Sequence, residues 1–324
     1  MSIPPDGALH IAALCREHGL QVDVADLQLI VAGASGRVIM RVCPGGEPCG
    51  IIGVYWTAAR ADNGSFVDAA RGLAAHGVRV PQILRYRDDG QGCGTCLVQD
   101  MGSADLLGLK NAPWSQLYPA YCSALQAVHA LHSLTPDWPL QPEFDAAMYR
   151  WEQGYFAEHF LGRHCGLSAR DFMELPATQQ TADYLAGLPR VPVHRDFQSQ
   201  NIMLQGDVAY LIDFQGMRYG RAEYDLASLV YDPYMALTAQ QSDALIAAYE
   251  QITGTAVQDP VFYACALQRL MQALGAYANI GYNQQRDWYL NMIPAGVAAL
   301  RHVATRTPVE SPAYPLSQWL LNHV

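Results

Sequence analysis

Lysine is nearly missing from this chain: of its 20 Lys and Arg residues only Lys110 is a lysine. Positive charge is also scarce, since 30 acidic residues give a net charge of −10, and that balance excludes a basic surface built for nucleic acid. Long apolar runs are lacking too. None approaches the roughly 20 residues needed to cross a bilayer, so no membrane partner is expected. The opening MSIPPDGALH has neither a basic stretch nor an apolar run behind it, so no secretory signal is expected. What remains is ordinary for a folded chain: 51% hydrophobic, 15% charged, and at 324 residues long enough for two cores.

The composition changes along the chain. Strand-like runs at Leu27–Ala32, Val38–Val42, Ile51–Trp56, Gln82–Tyr86 and Leu97–Gln99 are separated by Gly, Pro and Asp, with one helix at Phe66–His76. QDMG, Gln99–Gly102, reads as a hinge dividing residues 1–101 from residues 102–324. Beyond it the apolar period is helical over Leu117–Leu134, Met148–Phe160, Ser242–Ile252, Val261–Ala278 and Ile293–Val303. Thr238 with Gln241 three residues on predicts a capping box, and Gly254 a helix end. Short strands are expected at Val191–Val193, Ile202–Leu204 and Val208–Ile212, the last two joined by a turn at Gly206–Asp207.

Chemistry concentrates in VHRDFQSQNIMLQGDVAYLIDFQ, which begins at Val193. Asp196 follows a short strand, Asn201 lies five residues on, and Asp213 opens an Asp-Phe pair. A carboxylate placed like Asp196 can take the proton of an attacking hydroxyl. An amide oxygen and a second carboxylate, Asn201 and Asp213, suit Mg2+, a hard cation that keeps several waters. That set is what phosphoryl transfer from ATP to an alcohol requires. An ATP user without a leader is expected in the cytoplasm, where the eight Cys are reduced thiols. Cys43 and Cys49 flank PGGEP, and Cys93 and Cys96 form a CxxC. Four thiolates could hold zinc if the two turns met, but the wide first spacing favours plain turns.

The segments His194–Asn201 and Leu211–Tyr224 resemble those of the aminoglycoside phosphotransferase and choline kinase superfamily. Within it, HRDFQSQN, IDFQ and YDLASLVYDPY most resemble bacterial anomeric N-acetylmuramate/N-acetylglucosamine kinases, as do VPQIL, EQGYFAEHFLGRHCGL and LQRLMQALGAY. The resemblance implies an α+β, two-lobed protein-kinase-like fold, with a small β-rich N-lobe and a larger helical C-lobe. It implies ATP and Mg2+ as cofactors and an amino-sugar acceptor. Asp196 would be the base, Asn201 and Asp213 the metal ligands, and His194 and Asp225 the supports of the catalytic loop. Gln99 and Met101 would meet the adenine. An aminoglycoside- or choline-type kinase and an inactive pseudokinase are the rival readings.

One departure follows from the missing lysine. Kinases of this class generally carry a third-strand Lys paired with a helix Glu. Here the third strand is IIGVYW, and FVDAARGLAAHG offers Asp68 but no Glu. The resemblance implies that the sugar kinases lack this lysine as well. Arg37 or Arg41 could supply the charge for the phosphates, beside a turn whose Gly33 and Gly36 allow close backbone approach. Arg37 reads equally as a solvated strand end. For the acceptor, Arg195, Asp232 and Tyr234 are candidates, and Trp151, Tyr155, Tyr282 and Trp288 are possible sugar-stacking surfaces. His129 and His132 have metal-like spacing but read better as local hydrogen-bonding groups.

Overall fold

A computed structural model describes residues 5–32, 37–58 and 63–324. Twelve α-helices are described: α1 (Pro5–Glu17), α2 (Phe66–Ala75), α3 (Trp114–His132), α4 (Ala146–Phe156), α5 (Ala169–Met173), α6 (Pro176–Ala186), α7 (Ala222–Val230), α8 (Ala239–Thr253), α9 (Asp259–Asn283), α10 (Asp287–Leu290), α11 (Ile293–Arg306) and α12 (Tyr314–His323). The strands are β1 (Leu27–Ala32), β2 (Val38–Val42), β3 (Ile51–Trp56), β4 (Ile83–Asp88), β5 (Gly94–Gln99), β6 (Val191–Val193), β7 (Ile202–Gln205), β8 (Val208–Leu211) and β9 (Arg218–Gly220).

β1 to β5 form one antiparallel sheet in the order β1-β2-β3-β5-β4, and the larger remainder is mainly helical. This is the two-part kinase-like architecture that the resemblance implies. Strand alternation in IIGVYW divides β3 between two cores. Ile51 and Tyr55 pack with α1 residues such as Ile11 and Leu14, while Ile52, Val54 and Trp56 join the main core with α2.

The helix α1 is not among the sequence expectations, although Ala8, Ile11, Ala12 and Cys15 repeat at helical spacing. It covers the outer face of the sheet so closely that a Cβ on Gly53 would lie 2.2 Å from Ile11 Cγ2. The expected strands and helices otherwise form with boundaries moved by a few residues. α8 carries the Thr238–Gln241 capping box and ends at Gly254, whose φ of 66° is easy only for glycine. α5, α6, α7, α10, α12 and β9 escaped the pattern reading because they are short or weakly periodic.

The four-thiolate arrangement is not formed. β3 pairs with β5 from Ile51↔Gln99 to Trp56↔Gly94, so Cys49 and Cys93 lie beyond opposite ends of these strands, on the order of 20 Å apart. Cys96 is buried inside the sheet, opposite Val54.

Close packing predicts one stability effect here. A Cβ on Gly72 of α2 would stand 2.2 Å from the ring of Trp138, which is itself buried. Gly72→Ala is therefore expected to cost about 2 kcal/mol by overpacking. A urea midpoint equal to that of the wild type would show that the ring can step aside.

Candidate active site

The sheet and the β7–β8 hairpin enclose a cleft of about 300 Å³. Its upper wall is apolar, with Ile39, Ile52, Val54 and Val98, and its floor holds Met203 and Ile212. Two apolar layers suit a flat ring between them. Gln99, Asp100 and Met101 close the back, where β5 runs out of the sheet. Asn201 and Asp213 stand in the same cleft.

Arg37, just before β2, and Arg41, within it, both line the cleft and make different contacts. Arg41 grips Asp100 through Nε (2.6 Å) and Nη2 (3.1 Å) and donates to the Gly102 carbonyl (2.9 Å), so it braces the hinge strand. Arg37 is buried rather than solvated. Its Nε donates to Asn63 Oδ1 at 2.8 Å, and its guanidinium lies 5.3 Å from the Phe66 ring centre. Phe66 in turn stacks on Phe214, next to Asp213, with ring centres 5.4 Å apart. The positions on β3 that face this region are Ile52 and Val54, so no lysine enters the cleft from there. Asp68 is exposed on α2, as is Lys110 beyond the hinge. Gly33 and Gly36 lie outside the described residues.

The segment carrying Asp196 leaves β6 at Val193, and its first two residues are held by one carboxylate. Asp225 of α7, fully buried, accepts the backbone N–H groups of His194 (2.7 Å) and Arg195 (2.8 Å). His132 of α3 bonds the same carboxylate through Nε2 (3.0 Å) and Tyr249 of α8 through Nδ1 (3.0 Å). His194 Nε2 reaches the carbonyl of Ile212 at 2.9 Å, tying the loop to the strand that presents Asp213. This bracing lets Arg195 hold φ at 76°, a left-handed conformation that glycine adopts more easily.

Asp196 keeps 31% of its side-chain surface accessible, with Arg195 Nη1 3.8 Å from its carboxylate. Burial pushes its pKa up, but Arg195, Arg269, His194 and Arg218 outweigh that and hold it below the ordinary carboxylate value. It is therefore an anion at neutral pH. Asn201 donates its amide N–H to the Asp196 carbonyl oxygen at 2.9 Å, which leaves its amide oxygen as the group able to act as a ligand. Asp213 has φ 63° and accepts from Gln215 Nε2 at 2.8 Å. One neutral and one anionic oxygen in a cleft fit a divalent hard cation that takes its other ligands from water and phosphate. Among the described residues no cluster of three His, Cys, Asp or Glu side chains offers a competing metal site.

Asp232 lies two residues past the end of α7 at Val230. It is buried, and its carboxylate accepts from Ser199 N (2.8 Å), Ser199 Oγ (2.6 Å) and Tyr234 N (2.9 Å). It is thus a second brace of the loop, its oxygens engaged inside the protein. Tyr234 is buried as well, against Tyr277 and Trp288. Tyr282 pairs with His164 (2.8 Å) and lies under Arg163.

Several residues here escaped the sequence reading. Arg269 of α9 donates to Gln198 of the loop at 3.0 Å and to Ser228 at 2.8 Å. A lone Arg in the apolar run ACALQRLMQAL was the available signal. Arg218 is buried, with its guanidinium 5.2 Å from the Phe144 ring. Glu152 of α4 is buried between Tyr224 (3.1 Å) and Gln268 (3.2 Å), and burial pushes its pKa up.

Comparison with known proteins agrees with the kinase-like fold. The profile of the phosphotransferase enzyme family matches residues 27–261. The chain is similar to an N-acetylmuramate/N-acetylglucosamine kinase of Pseudomonas putida, 27% identical over 73% of this chain and 71% of that protein. It is also similar to one of Neisseria meningitidis, 28% identical over 74% of this chain and 75% of that protein. In fold it resembles a choline/ethanolamine kinase family protein from Mesorhizobium loti (TM-score 0.61, 16% identity, 98% of both chains). It likewise resembles an aminoglycoside phosphotransferase from Streptomyces rimosus (TM-score 0.57, 17% identity, 82% of this chain and 97% of that one). With most of its length matched, this chain belongs to the phosphotransferase enzyme family.

Proposed function

We propose that the protein is a cytoplasmic ATP-dependent kinase that phosphorylates the anomeric hydroxyl of an N-acetylated hexose, N-acetylmuramate or N-acetylglucosamine, in cell-wall or nucleotide-sugar recycling. The names of its relatives point to this acceptor class. The observation that carries the choice is the charge around Asp196. The cations Arg195, Arg218 and Arg269 all act on it, whereas Glu152 and Asp232 are buried and hydrogen-bonded inside the protein. An aminoglycoside or choline would bring its positive charge toward three guanidiniums, with Asp196 itself the carboxylate beside them. A neutral or anionic sugar meets no such opposition.

In this reading residues 1–101 form the nucleotide lobe and residues 102–324 carry the catalytic and acceptor groups. The adenine ring lies between Ile52 and Val98 above and Met203 below, at the backbone of Gln99 and Met101. Arg37 supplies the phosphate charge that the third strand lacks, and Gly33 and Gly36 bring backbone N–H groups to the phosphates. Asn201 and Asp213 hold Mg2+, which neutralises charge on the phosphates when bound. Asp196 accepts the proton of the attacking hydroxyl. An anomeric hydroxyl is more acidic than an ordinary alcohol, so a carboxylate with a lowered pKa suffices as its base. Arg195 faces the acceptor. His194, Asp225 and Asp232 position the loop, and Tyr234 shapes the acceptor wall from within its aromatic cluster.

An acceptor panel tests the proposal. With ATP–Mg, N-acetylglucosamine and N-acetylmuramate are expected to give sugar 1-phosphates by phosphorus NMR, while choline and an aminoglycoside give none. Choline or an aminoglycoside as the best acceptor would overturn it.

A further inference from the structure

The acceptor side of Asp196 continues along α9. Arg269 links Gln198 of the catalytic loop to Gln272. Beyond Gln272 the half-exposed positions on α9 are Ala276, Asn279, Ile280 and Tyr282, and Gln272, Ala276 and Asn279 are spaced i, i+4 and i+7 on one face. At about 1.5 Å per residue this strip runs roughly 10 Å away from the loop. Gln272 and Asn279 are amides with a small residue between them; Gln272 Oε1 accepts from Arg269, and Asn279 Oδ1 accepts from Asn283 Nδ2.

Along this strip stands a pair of aromatic rings from α4. Trp151 and Tyr155 stack nearly parallel, 5.4 Å between centres and 12° between planes. Trp151 leaves 55% of its surface to solvent, the opposite of a core tryptophan. Tyr155 is fixed in place: its hydroxyl accepts from Asn279 Nδ2 at 2.7 Å, and a Cβ on Gly275 would already lie 3.0 Å from its ring. The Tyr155 phenol also feels the charge of Arg195, the neighbour of Asp196. Directly after these residues the helix widens into π-helical turns over Ala157–His164. An exposed, rigid ring face beside neutral amides matches an uncharged sugar ring, which offers an apolar C–H face and hydroxyls at its edge.

We propose that Trp151 is the stacking platform for the acceptor's pyranose ring, held by Tyr155, with the Gln272 and Asn279 amides facing the sugar's polar edge. This rests on the sugar-kinase reading above and adds the residues that recognise the ring.

The test is initial-rate kinetics with N-acetylglucosamine and ATP–Mg for wild type, Trp151→Ala and Trp151→Phe. Trp151→Ala is expected to raise the sugar KM about tenfold, as for one lost ring face, with the ATP KM kept within about twofold. Trp151→Phe restores most of the loss, which a merely structural role for an exposed indole would not produce. An unchanged sugar KM in Trp151→Ala overturns the platform and leaves the sugar-kinase reading intact. A wild type that phosphorylates no N-acetylated hexose overturns both.

Discussion

Asp196→Asn is expected to lower kcat about a thousandfold, the range for removing a general base, while ATP–Mg binding and the thermal midpoint stay near wild type. The asparagine keeps the shape of the side chain, and among the described residues the close partner of the Asp196 carboxylate is Arg195 at 3.8 Å. Turnover within tenfold of wild type would remove Asp196 from the proton-transfer step. The same residue predicts a pH effect. Arg195 foremost, with Arg269 and Arg218, holds its pKa below the ordinary carboxylate value, so the active anion persists to lower pH than a free carboxyl would allow. Arg195→Gln deletes one of those cations, and the pKa must rise. The acid limb of kcat/KM against pH should therefore move upward in that variant, and a downward or absent shift would contradict the electrostatic account.

The second large effect concerns Asp225. Its buried carboxylate receives His194 N–H, Arg195 N–H and His132 Nε2. Asp225→Ala strands these groups away from water and should destabilise the fold by about 3–5 kcal/mol, a large share of the roughly 5–15 kcal/mol available to a domain. The Arg195 backbone would lose the bond that supports its left-handed conformation, and Asp196 would lose its aim. Chemical denaturation read by circular dichroism checks the first consequence, and kcat in the surviving folded fraction checks the second. A stability loss below about 1 kcal/mol would mean that water or a rearranged His132 replaces the carboxylate.

The fold was legible wherever a local pattern dominated. Alternation marked the strands of the sheet, and Thr238, Gln241 and Gly254 marked both ends of α8, because capping is decided within a few residues. Helix α1 had the right spacing, yet its role appears only when Ile11 is seen against Gly53. The candidate site was legible to the same extent. Asp196, Asn201 and Asp213 share one short stretch, so their grouping could be read from spacing alone. Arg41 could not be assigned from the chain, since its partner Asp100 lies 59 residues away. Asp232 pointed toward the acceptor on paper, but folding turned its carboxylate onto Ser199.

By itself the sequence determined the reaction type, the two-part fold and the absence of a third-strand lysine, since each depends on residue identity and local spacing. Tertiary structure alone decided how Arg37 and Arg41 are held at the cleft, what braces the segment after β6, and which charges surround Asp196. Those are contacts between residues such as His132 and Asp225, 93 positions apart, or Gln198 and Arg269, 71 apart. No local pattern encodes them, because burial and charge act through space and the chain order of the partners is immaterial to either.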